Sequence, residues 1–213
     1  MSGFLFSIPP ANTKLSAAAN AAIQLAAIAS RQAQNLRTRC VHPDGRAENV
    51  AEHSLMLAKV APELAHRLYP HLDIHLVAHF ASLHDDVEAY VGDTPTDSLA
   101  DHSPADKEAR EAQALAQLSK EYAAMTTYVG LVKQYEAQSL PEARFVRAVD
   151  KLMVILIHFP NQGATICAHY DHSSFLKSEA NLLARDSYKY NEFEAIKHLR
   201  QELGKELADR YLR

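Results

Sequence analysis

Residues 74 to 90 read IHLVAHFASLHDDVEAY. Leu76, Phe80, Leu83, Val87 and Tyr90 recur at helical spacing and define one apolar face. A second face runs through Ile74, Val77, Ala78 and Ala81 and continues into His84, Asp85 and Glu88. His71, His75, His79, Ser82 and Asp86 fall on the polar side. Such a segment predicts a helix over roughly 73–90 that carries an imidazole and carboxylates onto a face buried one turn earlier. Charged groups in an interior are costly unless they are paired or bound to a metal. The rest of the chain must therefore bring something to meet them.

Helical periodicity dominates elsewhere too. Ala and Leu are abundant against only 6 Gly and no Trp, and no alternating apolar run demands a sheet, so the fold class expected is all-α. Helices are expected over about 12–36, from Asn49 to about Leu68, over 104–128, after Gly130, from Pro141 to about Phe159, and through YNEFEAIKHLRQELGKELADRYLR at the end. Asn49 and Glu52 have the spacing of a capping box. CVHPDGRAE at 40–48 and PNQGATICAHYDHSS read as loops. No repeat, linker or low-complexity tract divides the 213 residues, so a single domain over 1–213 is expected. Its last helix repeats apolar positions at Phe193, Ile196, Leu199, Leu203 and Leu207, for packing on the body or a second copy.

A net charge of -4 supplies no overall field for nucleic acid or anionic membrane. The longest apolar run, LMVILIHF, is too short to span a bilayer. MSGFLFSIPP lacks the basic start and cleavage site of a signal peptide. Cys40 and Cys167 form no metal or disulfide pattern and read as thiols in a reducing compartment. These features predict a cytoplasmic protein with neither a nucleic-acid nor a membrane partner.

Three separate helices turn ionisable groups inward. In the second helix His53 lies on the stripe of Met56, Leu57, Val60, Ala61 and Leu64. In the third, His84, Asp85 and Glu88 do so. In the helix after Pro141, Asp150 shares a stripe with Val146, Met153 and Ile157. Each has a plainer reading: a core histidine with one hydrogen bond, or an aspartate paired with Arg144, Arg147 or Lys151. Taken together, two imidazoles and two carboxylates form a mixed nitrogen and oxygen set suited to a divalent transition metal. His71, His75 and His79 have the i, i+4, i+8 spacing of a zinc trio, but they lack an apolar flank and read as a solvated face.

AENVAEHS, then LHDDVEAYVGDTPT, then VRAVDKL resemble in order the signature of HD-domain phosphohydrolases. A His-Asp dipeptide alone carries little weight, whereas the ordered set with E-x-x-x-G-D-x-P-T behind it is specific. The likeness is to the bacterial 5'-deoxynucleotidases and phage deoxynucleoside triphosphohydrolases, and it covers about residues 30–160. It implies an HD-type helical bundle with a single divalent ion (Mn, Co, Zn, Fe or Mg) held by His53, His84, Asp85 and Asp150. It also implies Glu88 near the attacking water, Asp93 at the pocket mouth, a small nucleotide substrate and a homodimer. In that branch an Arg, often followed by Trp, precedes the first His by about fifteen residues. Here Thr38 stands there, between Arg37 and Arg39, so Arg39 or Arg46 is expected to take the phosphate. The resemblance thus implies a metal-dependent nucleotide phosphohydrolase. A catalytically idle, metal-stabilised nucleotide sensor is the alternative, and a plain helical interaction domain would need four inward ionisable groups by coincidence.

Overall fold

The computed structural model describes residues 12–91 and 104–213. Ser16 caps α1 (Ala17–Gln32) by accepting from the Ala19 amide. There follow a two-stranded antiparallel hairpin of β1 (Leu36–Val41) and β2 (Ala47–Asn49), then α2 (Val50–Leu68), α3 (Ile74–Leu83) and the single turn α4 (Glu88–Val91). After the undescribed residues come α5 (Pro104–Glu121), α6 (Thr126–Glu136), α7 (Pro141–Leu156), the short α8 (Ala164–Cys167) and α9 (His172–Arg185). A 3-10 turn over Ser187–Tyr190 then leads to α10 (Glu194–Tyr211). The architecture is the expected all-helical one, apart from the hairpin.

α2, α3 and α7 form the centre. Asn49 and Glu52 complete the capping box that starts α2. Asp73 caps α3 by accepting from the amides of His75 and Leu76, and its own amide donates to Glu142 at the start of α7. That bond brings the α2–α3 turn against α7. Between the three helices Leu57, Ala61, Val77, Phe80, Phe145 and Val149 are fully buried. Each large side chain there contributes about 2 kcal/mol by leaving water.

Several boundaries differ from expectation. The segment 40–48 is no simple loop: His42 and Arg46 close a tight turn, and Gly45 sits at φ +82, where a residue without Cβ is favoured. α3 stops at Leu83 instead of running on to 90, and the chain turns before α4. Asp86 is accordingly off the wet face expected of it. It is buried, accepting from Gln32 Nε2 of α1 (2.6 Å) and Tyr128 OH of α6 (2.7 Å). α5 ends at Glu121, and Gly130 lies inside α6 rather than ahead of a helix. α8 lies within the stretch that reads as loop and α9 begins at its end, with Asp171 and Ser174 forming a second capping box. A hollow of about 720 Å³ opens between α1, the end of α3 and the start of α6, with Asp86 in its wall.

The C-terminal helices grip the outer side of α7. Arg200 of α10 is 2% exposed. It donates through Nε (3.0 Å) and Nη2 (3.2 Å) to Glu179, and through Nη1 to the Lys151 carbonyl (2.7 Å) and Tyr190 OH (3.2 Å). Ile155, Ile166, Phe175 and Leu207 pack beside it. Arg200→Met strands the Glu179 carboxylate, and it is expected to destabilise the protein by about 3 kcal/mol. A urea titration should show a lower midpoint at unchanged slope.

Candidate metal centre

The capping box sets His53 in the first turn of α2, His84 closes α3, and Asp150 lies in the middle of α7. Nδ1 of His84 is 2.9 Å from the Ala81 carbonyl, which can only accept, so that nitrogen carries the proton. Nε2 of His84 is therefore left facing the interior. It has no hydrogen-bond partner, although it lies 3.2 Å from Asp85 Oδ1 and 3.8 Å from Asp150 Oδ1. Nε2 of His53 is 2.9 Å from Asp150 Oδ1 and 3.9 Å from Asp85 Oδ2. The two imidazole centroids are 5.2 Å apart.

One donor atom from each of His53, His84 and Asp150 lies within 4.8 Å of the other two. Donors on a common divalent ion at about 2.1 Å span at most about 4.2 Å, so only a slight contraction separates this cluster from a coordination shell. Asp85 borders the cluster through the distances above. The buried, partnerless Nε2 and the facing carboxylates are what such an ion requires, and the donor chemistry fits it.

The electrostatics are those of a site that wants a cation. Burial disfavours the charged imidazole of His84, but Asp85 and Asp150 outweigh it and hold its pKa up at about 9. Burial would raise Asp85, yet His84 and His53 bring it down to about 2. Asp150 is likewise desolvated but held well below the usual carboxylate range by Lys151 and the two histidines. Lys151 Nζ lies 2.6 Å from Asp150 Oδ2, and Arg37 Nη1 lies 3.4 Å from Asp85 Oδ2. The plainer reading of Asp150 as a member of an ion pair with Lys151 thus holds as well.

Other expected residues are distributed differently. Glu88 opens α4, close enough to Lys151 to help raise its pKa. Arg46 is turned to Glu52, donating to both its carboxylate oxygens (2.9 and 2.7 Å), and His42 Nε2 lies 3.1 Å from the same group. Asp93 and the side chain of Arg39 lie outside the described residues. His71, His75 and His79 are exposed, as a solvated face should be. Two groups near the centre escaped sequence reasoning, Glu48 and Glu136, while Arg37, one of the arginines flanking Thr38, is the one found against Asp85. Burial, with the neighbouring charge of Glu111, pushes Glu136 up to about 7.

A family model described as an HD domain matches residues 31–191, and so runs on past the segment that carries the sequence motifs. No curated protein matches the chain. Among solved structures, it is similar to one described as a predicted metal-dependent phosphohydrolase from Magnetospirillum magnetotacticum. That likeness has 27% identity and a TM-score of 0.69, over 92% of this chain and 99% of that one. A conserved hypothetical protein from Pyrococcus furiosus shares the fold at a TM-score of 0.53 and 23% identity, over 83% of this chain and 99% of that one.

The raised pKa of His84 has a definite sign. In metal-free protein its contribution to stability is complete below its ordinary value of 6.5 and is lost as pH rises through about 9. Binding through Nε2 needs the neutral ring, so metal binding should release protons and tighten across the same interval. Thermal unfolding in chelator and calorimetric metal titration, each from pH 6 to 9.5, should therefore move in opposite directions.

Proposed function

The chain belongs to the HD domain family, and from that premise we propose that it is a metal-dependent phosphohydrolase acting on nucleotides. The substrate proposed is a deoxynucleoside mono- or triphosphate, cleaved by water at phosphorus. The observation that carries this reading is the convergence of His53, His84 and Asp150 on one point, with Asp85 beside them. The description of the Magnetospirillum protein as a predicted metal-dependent phosphohydrolase supports it.

His53, His84, Asp85 and Asp150 would hold the ion, which when bound polarises a phosphate and acidifies a water. Glu88 orients the attacking water or takes up its proton. Lys151 and Arg37, held against Asp150 and Asp85, are the cations placed to balance phosphate charge. Arg39, on the same strand as Arg37, and Arg46 at the rim of the hairpin are proposed to contact the substrate. Asp93 is proposed to act at the pocket mouth. A cytoplasmic homodimer that engages neither nucleic acid nor membrane completes the proposal. No helix among the described residues is long and apolar enough to cross a membrane.

The test is a screen of deoxynucleoside mono- and triphosphates with manganese, cobalt or zinc. Stoichiometric metal binding without hydrolysis of any of them defeats the enzymatic reading in favour of an idle sensor. For an active substrate, Glu88→Gln is expected to reduce kcat about a hundred- to ten-thousandfold while metal affinity stays unchanged. Loss of metal along with turnover would remove Glu88 from the proton-handling role.

A further inference from the structure

Glu48, at the middle of β2, is 1% exposed. A carboxylate so deeply buried is costly unless its charge has work there. Its Oε2 lies 3.9 Å from Nδ1 of His53 and 3.4 Å from Nε of Arg37, and its Oε1 has no hydrogen-bond partner. The two nitrogens of His53 are thus divided: Nε2 faces Asp150 and Asp85, and Nδ1 faces Glu48. Arg37 links the same carboxylate to Asp85, 3.4 Å from its Nη1.

A neutral imidazole carries one proton. When Nε2 is a ligand that proton is confined to Nδ1, which faces Glu48. The 3.9 Å separation is about 1 Å longer than a hydrogen bond. Ligation of Nε2, by fixing an N–H on Nδ1, is what draws the two groups together. We infer that Glu48 is a positioning residue of the centre: it accepts from Nδ1–H of His53, makes Nε2 a stronger donor, and steadies Asp85 through Arg37. The inference rests on the metal-centre reading and adds to it a carboxylate supplied by the hairpin. Met, of similar length, would have filled much the same space without charge.

The test uses the full chain and measures manganese affinity by calorimetry, together with the visible absorption of the cobalt-loaded protein. Outer carboxylates on ligating histidines typically govern affinity by about ten- to a hundredfold. Glu48→Gln is therefore expected to weaken manganese binding at least about tenfold and to shift the cobalt band, with the helical circular dichroism unchanged. A smaller loss overturns the inference. Weakened binding with an unshifted cobalt band assigns Glu48 to folding alone and overturns it equally. Should Glu48→Gln fail to fold, Glu48→Asp, which draws the charge back by one methylene, serves in its place with the same expected direction. If the wild-type protein binds none of these ions, the metal centre itself is refuted, a result distinct from unaltered affinity in the variant.

Discussion

The contact between His53 of α2 and Asp150 of α7, at 2.9 Å in the middle of the helical bundle, is the interaction around which the molecule is organised. It joins groups 97 residues apart in sequence, a buried imidazole and a half-buried carboxylate. His84 and Asp85 arrive at the same point from the end of α3. Two carboxylates and two imidazoles in so small a volume cannot all be satisfied by one another. The partnerless Nε2 of His84 is the visible remainder. Lys151 and Arg37 moderate the negative charge from the edges. The centre thus gathers the donors a divalent ion takes while flanking cations offset their charge.

The surrounding architecture keeps that point fixed. The capping box sets the phase of α2, and the Asp73 amide ties the α2–α3 turn to α7. Arg200 reaches across from α10 to the carbonyl of Lys151, one residue beyond Asp150. The Arg46–Glu52 pair clamps the hairpin onto the first turn of α2, one residue before His53. The Arg46–Glu52 and Arg200–Lys151 contacts act one residue from a ligand, and the Asp73–Glu142 bond acts from the far end of α7.

Where a signal was periodic or local, it was legible in the sequence. The apolar stripes that place His53 and Asp150 inward, and the Asn49–Glu52 cap, correspond to what the structure contains. Asp86 was misplaced because helical phase was carried through Leu83, where α3 in fact ends and the chain turns. The stretch 40–48 reads as a loop because β2 is only three residues long and β1 shows no alternating apolar run. The Pro-Asp-Gly run before Arg46 was the signal for a turn between strands. Glu48 lies on a strand of three residues, too short to show any period. α9 starts inside the stretch that reads as loop, where only the Asp171 and Ser174 spacing marks it. The pairing of Arg46 with Glu52 is not visible in the sequence because it depends on the hairpin folding back.

Asp86 gives the ligand pair a second attachment. Its neighbour Asp85 looks toward the centre, while Asp86 is held from the opposite direction by Gln32 of α1 and Tyr128 of α6. Adjacent residues thus belong to two different environments, and the hollow lined by α1 and α6 lies beside Asp86. Whatever repacks that wall therefore acts one peptide unit away from a carboxylate of the centre.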